Sequence, residues 1–118
     1  MNLPDRMAES ALRLIREAGA SLIYRRIVPS FDPLTGATLL ASEDFAVTGL
    51  VQEATPGRLD DALVRHGDRF VLLAAEGLPV VPAAGSAVTL DGEDWPILHV
   101  GAIRPGDRAI AWRLQVRR

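Results

Sequence analysis

The stretch from Ser86 to Arg118, SAVTLDGEDWPILHVGAIRPGDRAIAWRLQVRR, decides the fold. Two turn signals divide it: DGED at 91–94, where Asp-Gly suits a two-residue hairpin, and RPGD at 104–107. Between and around them lie SAVTL (86–90), WPILHVGAI (95–103) and RAIAWRLQVRR (108–118). In the last segment Ile110, Trp112, Leu114 and Val116 alternate with Arg113, Gln115 and Arg117, the period of two that a half-buried strand requires. The stretch therefore reads as a three-stranded antiparallel meander. Its final strand should turn a solvated arginine face outward, with Trp112 as a core anchor.

Working towards the N-terminus, the connector EGLPVVPAAG (76–85) is proline-rich and RFVLLAA (69–75) is a buried strand. ATPGRLDDALVRHGD (54–68) has no clear period and reads as a long loop, with one helical turn near Leu59–Val64. DFAVTGLVQE (44–53) is a strand in which Gly49 marks a bulge or bend, and SLIYRRIV (21–28) is another. PSFDPLTGAT (29–38), with two prolines, Asp32 and Gly36, reads as the turn between them. Only residues 4–18 carry a helical period, with Met7, Ala8, Ala11, Leu14, Ile15 and Ala18 on one face and Gly19 placed to end the helix in a left-handed conformation. The expected architecture is mainly β: a small antiparallel barrel or sandwich with one N-terminal helix, in a single domain spanning residues 1–118.

Composition narrows the function classes. A chain of 118 residues supports one core. It contains no cysteine, so neither a disulfide framework nor a thiolate metal site can form, and a cytosolic setting is the default. Neither a signal-peptide pattern at the start nor an apolar run of spanning length is present. The formal net charge of −2 gives no general field for nucleic acid, although all basic residues are arginine. Arg104, Arg108, Arg113, Arg117 and Arg118 do concentrate at the C-terminal end.

His66 and Asp68 flank Gly67 and resemble an acid–base pair. No serine lies near them, and a His-Asp pair alone lacks a nucleophile and an oxyanion donor set. HGD reads better as a turn in which Gly67 takes a positive φ and Asp68 bonds nearby amides. His99 stands alone in mid-strand, and Asp91, Glu93 and Asp94 lack the spacing of a calcium loop. Phosphate-binding glycine motifs do not occur. No catalytic, metal or cofactor-binding residues are therefore expected, and no enzyme activity.

DPLTGAT, VTGLVQEATPGRLDDALVRHGDRFVLLAAEGL, PAAGSAVTLDGEDWPILHV and LQVRR, in this order, resemble the head–tail connector proteins of tailed phages and prophages, also called head-completion, stopper or neck proteins. Gly85-Ser86, where relatives carry Gly-Asp, and Pro96 after Trp95 depart from the pattern. The resemblance covers residues 7–118 and implies a β-barrel subunit of a ring between portal and tail that closes the filled head and joins the tail. Implied partners are the portal or adaptor ring, tail proteins and further copies of the chain, with DNA met only in the channel and no membrane. The implied location is the host cytoplasm during assembly and then the virion neck. Alternatives are a tail-terminator or tail-tube subunit, or a single-stranded nucleic-acid-binding barrel. Candidate interface residues are Arg58, Asp60, Asp61 and Arg65 in the 54–68 segment, and Arg113 and Arg117 on the last strand.

Overall fold

The computed structural model describes residues 3–54, 56–59 and 62–118. One helix, α1 (Leu3–Ala18), precedes eight strands: β1 (Ala20–Phe31), β2 (Thr38–Glu53), β3 (Gly57–Leu59), β4 (Ala62–Val64), β5 (Arg69–Ala74), β6 (Ala87–Leu90), β7 (Glu93–Ile103) and β8 (Ala111–Val116). Six of them close into an antiparallel barrel in the order β1-β2-β5-β8-β7-β6, with β6 pairing back onto β1 through Ile23–Arg25 and Ala87–Thr89. The mainly β architecture with one N-terminal helix is thus the one the sequence implies. Closure removes sheet edges from the body of the molecule.

Inward positions follow the period of two. Leu22 and Tyr24, Val71 and Leu73, Val88 and Leu90, Trp95 and Ile97, and Leu114 and Val116 form one core. Tyr24 is fully buried, and its hydroxyl accepts a hydrogen bond from the Ala83 amide at 3.0 Å, which fastens the proline-rich connector to the barrel. A bulge between Ile97 and His99 on β7 shifts the register so that Val100 pairs with Leu114. The β6–β7 turn is the expected two-residue hairpin, with Asp91 at φ 52° and Gly92 at φ 79°. Ser86, at the position that departs from the connector pattern, is buried, and its hydroxyl accepts from the Ile27 amide at 3.3 Å.

Several expectations are corrected. Gly49 is not a bulge: it pairs in unbroken register with Ala20 and Leu73. A Cβ there would lie 2.7 Å from Leu22 Cδ1 and 2.9 Å from Leu73 Cδ2, so the missing side chain makes room for two leucines. Gly19 does end the helix, its amide bonded to Ile15 O at 2.8 Å, but without a positive φ. Its need is for close approach, since a Cβ would stand 2.3 Å from Ile15 O and 2.7 Å from Gly49 O. Of the expected helix face, Ala8 and Ile15 are buried and Ala11 half-buried, but Met7, Leu14 and Ala18 are exposed. The helix docks on its alanines, against Ile110 and Ala111, and half its apolar stripe stays in solvent.

The 54–68 segment is not a long loop with a helical turn. Its described residues form a short hairpin, with Gly57 opposite Val64 and Leu59 opposite Ala62. The outward face of β8 is correspondingly not a solvated arginine face. Ala111 lies beneath α1, while Gln115, only 2 % exposed, lies beneath the β3–β4 hairpin and donates to Leu63 O at 2.9 Å. Trp112 is half-buried at the margin of the core, whereas Leu114 is fully enclosed.

Leu114→Ala is accordingly expected to destabilise the chain by about 3 kcal/mol, and Trp112→Ala by less. Urea unfolding of both variants would check the ranking. A larger loss for Trp112→Ala would place the packing centre at the end of β8 rather than its middle.

Candidate interaction site

Asp68 stands at the entrance to β5, 2 % exposed, with Gly67 before it at φ 91°. The turn expected of His66-Gly67-Asp68 is present: Asp68 N donates to Arg65 O at 3.0 Å, and its carboxylate accepts from the Arg65 amide at 2.8 Å. The carboxylate also reaches across the barrel wall. Arg117 donates to it through Nε at 2.8 Å and Nη2 at 2.9 Å, and Gln115 through Nε2 at 3.0 Å. One buried group therefore joins the segment after β4, the start of β5 and the end of β8. His66 is exposed and takes no part in these bonds.

The two-pronged hydrogen bonding of Arg117 is the largest cause holding the Asp68 carboxyl well below the usual carboxylate range. Burial opposes the shift, and the Arg65 amide and Gln115 add to it. Arg117 is shifted in the complementary direction, upward, by the same pair.

The candidate interface residues fall as follows. Arg65 is exposed just after β4, and with Arg117, His99, Leu63, Leu98 and Gln115 it lines a shallow cleft of about 230 Å³. Arg113 lies on the same outward face of β8, its guanidinium 5.5 Å from the Phe70 ring centre. Arg58 belongs to β3. Asp60 and Asp61 lie outside the described residues. The structure thus brings Arg65 and Arg117 together, but Arg117 serves a structural ion pair and is not a free surface charge.

A second surface escaped the sequence reading. β1 and β2 run well past the barrel: β1 meets β6 only over Ile23–Arg25, and β2 meets β5 only over Gly49–Glu53, yet the two pair with each other out to Phe31 and Thr38. The result is a two-stranded arm projecting roughly 20 Å, in a molecule 54 Å long and 33 by 28 Å across. Its root is braced by ion pairs, Arg25 with Asp44 at 2.9 Å and with Asp94 at 2.5 Å, and Arg26 with Glu43 at 2.5 Å. Beyond them, between Ile27 and Ser42, Asp32 is the only charged residue. Val28, Phe31, Leu34, Leu39 and Leu40 are all exposed there, Leu34 at 95 %. The missing charges were the available signal, masked by prolines that read as a plain turn.

Among the described residues no cluster of three or more His, Asp or Glu side chains could hold a metal, and no helix is long and apolar enough to cross a membrane. No family model matches the sequence, and no curated protein is significantly similar to it.

Asp68→Ala leaves the Arg117 guanidinium and the Arg65 amide without their acceptor and Gln115 with Leu63 O alone. A cost of about 3 kcal/mol is expected, more than a turn residue alone would give. Because the folded state lowers the Asp68 pKa, its stabilisation is complete above about pH 4 and is lost as the pH falls further. In urea unfolding between pH 7 and pH 2.5, Asp68→Asn should be less stable than the wild type at neutral pH, and the gap should narrow in acid. A gap independent of pH would contradict the ionised clamp.

Proposed function

We propose that the chain is a non-enzymatic ring subunit of a tailed-phage or prophage neck, joining a portal-proximal ring to the tail. The observation that carries this reading is the arm: a braced, nearly charge-free hairpin with exposed apolar side chains on a closed barrel that is complete without it. Exposed apolar patches rimmed by polar surface mark sites of protein association. A barrel closed in its body suits a repeating subunit, because unplanned edge pairing is suppressed there and the open strand edges are those of the arm. The resemblance of DPLTGAT, now the arm tip, and of LQVRR, now the end of β8 with Gln115 and the Arg117 that follows it, supports the connector class.

The single-stranded nucleic-acid reading finds less support. Such barrels stack bases on exposed aromatic platforms. Here Trp95 is buried beneath Arg69, whose guanidinium is 4.9 Å from its ring centre, and Trp112 is half-buried at the core margin.

In a lysogen encoding the chain, in-frame removal of its gene should leave filled heads and free tails on negative-stain micrographs, and adding purified chain should join them. Normal tailed particles in its absence would overturn the reading.

A further inference from the structure

The arm tip is a rigid device. Asp32 N donates to Ala37 O at 2.9 Å and Gly36 N to Asp32 O at 2.8 Å, with Gly36 at φ 70°. The Asp32 carboxylate accepts from the Leu34 amide at 2.9 Å and from Thr35 Oγ1 at 3.0 Å, which turns the arm's one charge inward on its own turn. The Leu34 amide is the largest cause lowering the Asp32 pKa. Pro33-Leu34 is thus held outward on an ordered loop, so little conformational entropy would be lost when it docks.

The same chain carries a groove of matching character. α1, the arm's root and the connector after β5 enclose about 270 Å³, lined by Leu12, Ile15, Val47 and Leu78, with Ala46 and Thr48 exposed at its β2 side. Ser21 and the exposed Arg16 and Glu76 also line it, so its wall is part polar. The volume falls below the roughly 300–1,000 Å³ of small-molecule pockets and suits one or two apolar side chains. The arm cannot fill its own groove: Thr48 and Thr38 lie on one continuous strand, which sets the tip roughly 30 Å away. Any leucine reaching the groove from such an arm comes from another molecule.

We propose that the arm tip of one copy, led by Leu34 with Phe31 beside it, docks in the groove between α1 and the arm root of a second copy. Leu34 and Phe31 are apolar and exposed while the Asp32 carboxylate is tied back onto its own turn, and the groove offers Leu12, Ile15, Val47 and Leu78 to receive them; this match selects the occupant. The contact is head-to-tail, so repetition generates a closed ring or an open filament according to the rotation per step. This inference rests on the ring reading and supplies its subunit contact.

Because the chain has no cysteine, introduced thiols report without background. Leu34→Cys and Thr48→Cys both fall on exposed positions and should leave the fold intact. Mixing the two single variants at high concentration under mild oxidation should give 34–48 cross-linked dimers in excess of either homodimer. The double variant should give a ladder ending in one closed species, and adding Phe31→Asp should reduce cross-linking at least tenfold. Homodimers predominating, or no 34–48 link at any concentration, would overturn the proposal. If native mass measurement shows rings without that link, the contact is wrong and the ring reading stands. An unending ladder with filaments supports the contact and sinks the ring.

Discussion

The Asp68 carboxylate is the point on which the wall of this barrel depends. Its outward neighbour, β8, lies between β5 and β7 and turns one face to the core, as any barrel strand does. Its other face would be wet but for two coverings, α1 over Ala111 and the β3–β4 hairpin over Gln115. The helix is held by the burial of Ala8, Ala11 and Ile15 and by the ion pair of Asp5 with Arg108. The hairpin is too short to hold itself, and a two-stranded ribbon of three residues a side gains little from its own pairing. Asp68 supplies what is missing by accepting from Arg65, Gln115 and Arg117 at once. A buried carboxylate is tolerable only where charge and hydrogen bonds are both answered. Here they are, and the desolvated group acts as a staple.

This staple sets a fixed body apart from an arm that is braced at its root and free beyond it. The hairpin carrying Arg58 and Arg65 belongs to the body, so any surface it offers to a partner is presented in one conformation. Beyond the ion pairs and the Ile27–Ser86 hydrogen bond at its root, the arm has its own cross-strand pairs, and its apolar side chains remain in water. The neck-subunit proposal follows from this inequality: rigid barrels can repeat side by side while an apolar arm with a preformed tip seeks a neighbour's groove.

Much of this was legible from sequence, and what was not has identifiable causes. The meander, the Asp91-Gly92 turn and the helix follow from period and turn chemistry, which are local. The arm was hidden because Pro29 and Pro33 argue for a loop. Pro29 in fact lies within β1, paired with Leu40, where no third strand asks for its amide. The β3–β4 hairpin escaped because three-residue strands are too short to show alternation. Gln115 and Arg117 occupy positions that alternation assigns to solvent, and only the covering hairpin and Asp68, far away in sequence, reverse that. Gly19 and Gly49 announced themselves as special, but their reason is close packing and not a turn or a bulge.

Native-state amide hydrogen exchange on the 118-residue chain tests the division most directly. The amides of Val64, Arg65 and Asp68 should exchange nearly as slowly as those of β8, while amides from Val28 to Ala41 exchange far faster in the dilute chain. Rapid exchange at Arg65 and Asp68, matching the arm, would contradict the account, because it would mean that the Asp68 staple does not hold the hairpin to the barrel.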